Sequence, residues 1–361
     1  MQLPCPLAAG QGKKQQCNGI IGNSPISQID TLIVSQFAWT PLAAFVVAFV
    51  TSRWLTHSRF SRLTLDLPNQ RSLHQTPVPR NGGIGIHAGI FLAWATVAPP
   101  LPSIIWLSLV PLLLVSFLDD VRGVPVVGRL ATHLLAAGAA AASLFFREFG
   151  LAGVIIAALS MVWMTNLYNF MDGSDGLAGG MALFGFSFYG VAALLAGNVS
   201  FALLNLSIAA AAAGFLVLNF YPARIFMGDM GSVPLGFLAA ALGLIGWTQG
   251  QWALWFPMLV FSPFIVDASV TLTRRILRRE RVWLAHRDHY YQRLVQMGWG
   301  HRNTALAEYG LMAVCGLSAL AGLFLPVGGQ IALIGAQTLT YVAIVLMIER
   351  AWRRHLAARQ L

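Results

Sequence analysis

The sequence predicts an all-α, polytopic integral membrane protein, and three observations support that class. Of 361 residues, 57% are hydrophobic and 10% charged, with a mean hydropathy of +0.68. Soluble domains run near about 25% charged, so this chain has too few charges to cover a water-facing surface. Apolar runs of about 20 residues, the length that crosses a bilayer, recur along it, and basic residues gather between alternate runs.

In order, the runs number eleven: 31–52, 82–101, 103–118, 130–146, 149–168, 177–196, 200–219, 232–248, 252–272, 304–325 and 329–349. Pro99, Pro100 and Pro102 mark the turn between the second and third. Residues 1–30 are polar and dotted with Gly and Pro; they read as a flexible tail without the order of a signal peptide. Residues 31–350 read as one transmembrane domain and 351–361 as a basic cytoplasmic tail. Cys5, Cys17 and Cys315 have neither disulfide-framework nor zinc spacing.

With the N-terminus outside, the inner connections are 53–81, 119–129, 169–176, 220–231, 273–303 and 350–361. They hold 20 of the 23 Lys and Arg, the exceptions being Lys13, Lys14 and Arg147. The positive-inside rule places these connections, and the C-terminus, in the cytoplasm. The net charge of +10 therefore reports topology, and the partner it implies is a lipid bilayer rather than nucleic acid.

Chemistry is concentrated on the same side. Asp119 and Asp120 in FLDD, Asp172 and Asp175 in MDGSDG, and Asp229 in FMGDMGS lie on three inner connections. Carboxylates crowded at a membrane surface repel one another unless a cation sits among them. One or two carboxylates, with the remaining positions open to water and phosphate, suit Mg²⁺. Asp175 and Ser232 are also plausible helix N-caps. Asn81-Gly82-Gly83, Gly173, Gly176, Gly228 and Gly231 adjoin the starts of the second, sixth and eighth runs, where free N–H groups suit phosphate.

Arg71, His74 and Arg80 enter the second run, and HRDHYYQR brings His286, Arg287, His289 and Arg293, a mixture suited to phosphate contact and proton transfer. Arg274–Arg281 reads as a topology anchor or lipid-headgroup contact. His87 and His133 read as satisfied core histidines, and Asp267 as facing this cluster or pairing with an Arg.

NLYNFMDGSDGL, LDD at the end of a run, NFYPARIFMGDMGS at 219–232 and PNQRSLHQTPVPRNGG together resemble the polyprenyl-phosphate N-acetylhexosamine-1-phosphate transferases. That superfamily includes the phospho-MurNAc-pentapeptide translocase. The likeness runs from about residue 31 to 350, and HRDHYYQRL resembles the O-antigen-initiating branch more than the translocase. LDDVRG has Gly123 where the family's DDxxD has an acid.

The resemblance implies transfer from a UDP-N-acetylhexosamine to undecaprenyl phosphate at the cytoplasmic face of a bacterial inner membrane. UMP is released, and the reaction requires Mg²⁺, with Mn²⁺ as an alternative. It implies Asp229 as a metal ligand and Phe226 as the aromatic against uracil. Asn169, Asp172 and Asp175 fall on the nucleotide and metal side, Asp119 and Asp120 near the lipid phosphate, and His286 and His289 near the sugar nucleotide. Asn166, Asn219, Arg71, His74, Arg80, Arg287 and Arg293 complete the expected substrate contacts. Direct in-line attack by the lipid phosphate is preferred over an aspartyl-phosphate intermediate. The sugar and any homo-oligomer stay open. A transporter using intramembrane carboxylates is the alternative, disfavoured because the acids lie at run ends on one side and no internal repeat is visible. The DGxxAR…GxxxDxxxD run of CDP-alcohol phosphotransferases is absent.

Overall fold

A bilayer offers the backbone no hydrogen-bond partners, so an apolar run must close its own. The computed structural model describes residues 38–68, 73, 76–97, 101–281 and 286–359, and these are overwhelmingly helical. Helix α1 is Thr40–His57. A 3₁₀ turn, Arg59–Thr64, leads to a two-residue strand β1, Leu65–Asp66, paired antiparallel with β2, Val78–Pro79. Then follow α2 Gly82–Trp94, α3 Ser103–Arg122, α4 Val126–Phe170, α5 Leu177–Leu195, α6 Val199–Asn219 and α7 Asp229–Thr248. The chain continues with α8 Trp255–Val260, α9 Ser262–Leu277, α10 Tyr290–Leu294, α11 Gly300–Gly322 and α12 Val327–Ala358.

Among the described residues, seven helices are long and apolar enough to cross a membrane. The difference from the eleven expected runs lies in four places. The described part of the first run begins at residue 38, and its helix runs from Thr40 on to His57. The second run is helical for 13 residues only, too short to span at 1.5 Å per residue. The fourth and fifth runs share α4, a 45-residue element interrupted only at Gly150 (φ 61°, ψ −164°); glycine takes that positive φ without a Cβ penalty. The ninth divides at Phe261, with Pro263 at the start of α9. The expected C-terminal tail is largely helix, since α12 runs to Ala358.

Helices α6 and α7 form the centre, with 78% of their apolar windows buried, while α12 lies at the edge with 11%. Helix α6 packs on α1 and α5, and α7 on α3 and α4. The two limbs of α4 have different neighbours. Ser108 Oγ of α3 donates to Ala136 O in the first limb, at 3.0 Å, whereas Gly236 of α7 lies against Met164 and Tyr168 in the second. His133 in the first limb and Asn166 in the second line the same cleft. The limbs therefore fold back, and the two ends of α4 lie side by side.

Candidate active site

The end of α3, both ends of α4, the turn 171–176 and the start of α7 converge on one acidic cluster. Asp119 and Asp120, expected on a connection, belong to the last turn of α3. Arg129, near the start of α4, joins two of the acids. Its Nη1 donates to Asp119 Oδ2 at 2.7 Å and to Asp229 Oδ2 at 3.1 Å. The Val124 N–H donates to Asp119 Oδ1 at 2.5 Å. Asp120, only 4% exposed, accepts from the N–H groups of Asp229 (3.1 Å) and Met230 (3.0 Å). It therefore caps α7, where a carboxylate satisfies free N–H groups and meets the positive end of the helix dipole. Arg80 Nε stands 3.6 Å from the same carboxylate, and Arg80 Nη2 donates to Asp120 O at 3.0 Å.

Asp172 differs from these. Half-buried in its turn, its carboxylate has no hydrogen-bond or ion-pair partner among the described residues. Burial first, then the negative charges of Asp229 and Asp120, push its pKa up to about 8. Asp175 is not brought to this group. One of its oxygens accepts from the Ala223 N–H at 3.0 Å, and the other stands 3.8 Å from His301 Nδ1.

A cleft of about 560 Å³ opens beside the acids, between the ends of α4 and the segment entering α10. Its polar walls are Arg129, His133, Asn166, Asn169, His286, His289 and Gln292. Asp267 organises the last of these. It accepts from the N–H groups of Tyr290 (2.9 Å) and Tyr291 (3.0 Å), capping α10, and stands 3.1 Å from His289 Nδ1. The His286 ring stacks on His289 with centroids 4.9 Å apart. Burial, His289 and Arg275 push the pKa of His286 down to about 4, so at neutral pH it offers an uncharged imidazole rather than a cation for phosphate. Asn169 Oδ1 accepts from Ser232 Oγ at 2.8 Å, and Asn166 Nδ2 donates to Val162 O at 2.7 Å.

Other expected contacts are engaged elsewhere. Arg293 is buried, donating to Glu349 (2.7 Å) and to Asp288 O (2.8 Å) and lying over the Tyr290 and Trp352 rings. That arrangement locks the segment onto α12, and Arg293 is not among the residues lining the cleft. Asn219 staples two turns, accepting from the Gly176 N–H and donating to Ile225 O. Phe226 is half-buried, its N–H donating to Pro79 O and its carbonyl accepting from Gly82. The Arg287 carbonyl accepts from Gln296 Nε2 at 3.0 Å. Arg71 and His74 lie outside the described residues.

The three helix N-termini expected to hold phosphate spend their leading N–H groups internally. Gly82 and Gly83 donate to Phe226 O and Met227 O, Gly176 to Asn219, and Asp229 and Met230 to Asp120. The glycines of NGG serve packing instead. A Cβ on Gly83 would stand 2.3 Å from Gly231 N.

Arg129 was not singled out from the sequence, and His133, read there as a satisfied core histidine, instead lines the cleft. The available signal was their spacing of four on one helix, which puts both on one face, and the position of Arg129 just after LDD.

Residues 103–247, spanning α3 through α7 and all five acids, match the family model for glycosyl transferase family 4. The matched stretch is thus the part of the membrane domain that carries the acidic cluster. The chain is 29% identical over 301 residues to the probable undecaprenyl-phosphate N-acetylglucosaminyl 1-phosphate transferase of Bacillus subtilis (strain 168), covering 77% of this chain and 84% of that one. It is 28% identical over 332 residues to the decaprenyl-phosphate N-acetylglucosaminephosphotransferase of Mycobacterium leprae, covering 78% and 83%. Similarity at 35% over 181 residues links it to the phospho-N-acetylmuramoyl-pentapeptide-transferase of Symbiobacterium thermophilum, covering 49% and 53%. These likenesses support the polyprenyl-phosphate hexosamine-1-phosphate transferase superfamily.

Proposed function

We propose that this enzyme transfers an N-acetylhexosamine-1-phosphate from a UDP-sugar to undecaprenyl phosphate, releasing UMP at the cytoplasmic face of a bacterial inner membrane. The observation that carries this reading is Arg129, which lines the polar cleft while holding Asp119 and Asp229. Trp163 is a wall shared by that cleft and by an apolar groove of about 390 Å³ between α4, α7, α8 and α9. A polar cleft abutting an apolar groove suits an acceptor with a phosphate head and a hydrocarbon chain.

Asp172 and Asp229 fit a hard divalent cation. Among the described residues no three His, Cys, Asp or Glu side chains form a complete metal cage, and Mg²⁺ takes one or two carboxylates and completes its shell with water and phosphate. The partnerless Asp172, held against like charges, is the donor such an ion would satisfy. When bound, Mg²⁺ neutralises diphosphate oxygens and orients them.

The protein's own part is positioning and charge neutralisation, which dominate phosphoryl transfer. A lipid-phosphate oxygen attacks the β-phosphorus of the UDP-sugar; the new P–O bond forms as the bond to the α-phosphate oxygen breaks, and UMP leaves with that electron pair. With a second pKa near about 6, the acceptor needs no strong base, consistent with a neutral His286 in the wall. Arg129, with Nε and Nη2 unpartnered among the described residues, is placed to receive phosphate charge. Asp120, spent on capping α7, is poorly suited to act as a nucleophile.

The relatives named for N-acetylglucosamine favour UDP-N-acetylglucosamine as donor, and the HRDHYYQRL run favours initiation of an O-antigen-type polysaccharide. The deciding experiment supplies membranes containing the protein with undecaprenyl phosphate and a panel of UDP-N-acetylhexosamines, with and without Mg²⁺. UMP release with at least one sugar is expected; release with none overturns the proposal.

A further inference from the structure

One residue outside every motif holds the acidic turn from behind. His301, the second residue of α11, has Nδ1 2.9 Å from Ser174 Oγ and Nε2 3.3 Å from Leu73 O. Its ring stacks on Tyr221, centroids 6.1 Å apart and planes 9° from parallel. Three connecting segments therefore meet on one imidazole, whose side chain is 14% exposed. A second residue of α11 grips the same turn, Tyr309 Oη donating to Gly176 O at 2.7 Å.

The chemistry assigns the tautomer. A carbonyl oxygen only accepts, so Nε2 carries the proton toward Leu73. In that tautomer Nδ1 accepts from the Ser174 hydroxyl. Ser174 sits between Asp172 and Asp175, so fixing its side chain fixes the backbone that presents both carboxylates. Asp175 gains from the same arm indirectly. Its firm contact is the Ala223 N–H, and Tyr221, two residues before Ala223, is the residue stacked on His301.

We propose that His301 is a positioning residue: by accepting from Ser174 while donating to Leu73, it sets the acidic turn 171–176 relative to the segment before α2. This rests on the transferase reading for its catalytic consequence, but the geometric claim is separable.

The test uses the full-length protein in membranes or detergent. His301→Ala and Ser174→Ala are each expected to lower kcat for UMP release roughly tenfold, the scale of one hydrogen bond at about 1.4 kcal/mol. KM for the UDP-sugar is expected to stay within twofold, and the double variant to be no worse than either single. His301→Asn, whose Oδ1 can reproduce Nδ1, is expected to restore most of the rate. His301→Gln, which reaches Leu73 but not Ser174, is not. Hydrogen exchange of the 171–177 amides, which needs no activity, is expected to quicken in His301→Ala and recover in His301→Asn. Rates of His301→Ala within twofold of wild type, multiplicative losses in the double variant, or rescue by Gln rather than Asn would overturn the proposal. A wild-type protein that releases no UMP overturns the transferase reading alone, and unchanged exchange in His301→Ala then overturns this one.

Discussion

Lowering the pH from 8 to 6 is expected to weaken divalent-cation binding at the acidic cluster about 50-fold, because a ligating carboxylate must be deprotonated. The magnitude follows from Asp172, whose pKa is pushed up to about 8 by burial and by the charges of Asp229 and Asp120. About half of Asp172 is then ionised at pH 8 and about one molecule in a hundred at pH 6. Titration of solubilised protein with Mn²⁺, followed by electron paramagnetic resonance without substrate, isolates this step from ionisation of the lipid phosphate. Asp172→Asn is expected to bind weakly at both pH values and to flatten the slope. The same linkage acts on stability in the cation-free protein. Its folded state holds the Asp172 proton more tightly than the unfolded chain, whose carboxyl titrates near about 4. That contribution is full below pH about 4 and is lost as pH rises through about 8. Wild-type melting temperature is thus expected to fall relative to Asp172→Asn across that window. Equal cation affinity at pH 6 and 8, or a slope undiminished in Asp172→Asn, would refute the reasoning.

Three substitutions separate chemistry from architecture. Arg129→Gln is expected to slow UMP release about 100-fold, the scale of losing one preorganised donor, with little change in melting temperature because the pair is part-exposed; a rate within threefold of wild type would exclude the role. Gly83→Ala places a Cβ 2.3 Å from Gly231 N and 2.6 Å from Gly231 Cα, where backbone cannot give way. A loss of about 1–3 kcal/mol is expected as reduced monodisperse yield and melting temperature. Arg293→Met is expected to cost about 1–2 kcal/mol, one charge-assisted hydrogen bond, since Glu349 keeps Arg274, while KM for the UDP-sugar is unchanged; a raised KM at constant stability would return Arg293 to the substrate.

The parts legible in the sequence were those that a bilayer enforces locally. Apolar runs became helices because the backbone has no other partner, and carboxylates stood at run ends because mid-bilayer charge is costly. Less legible was what each polar group spends itself on. LDD reads as two equivalent acids, yet Asp119 pairs with Arg129 while Asp120 caps α7, a division set by the approach of α7 from more than 100 residues away. NGG reads as a phosphate cradle, but its N–H groups meet the carbonyls of Phe226 and Met227. His133 reads as a lone histidine in an apolar run; only the fold-back of α4 puts it on the same cleft as Asn166. Asp267 was expected to face the histidine segment or an arginine, and it does the former, through His289.

Gly150 gives α4 the mechanics of tweezers. Both jaws of the polar cleft, residues 126–133 and 162–170, belong to this one helix, and their shared pivot is a glycine whose missing side chain would touch nothing within 4 Å. The second limb, 20 residues beyond the pivot, is a lever arm of roughly 30 Å at 1.5 Å per residue. On that arm, a rotation of about 3° moves the jaw by about 1.5 Å, half the length of a hydrogen bond. The separation of Arg129 and Asn169 across the cleft is therefore set by the backbone angle at a residue at the far end of both limbs.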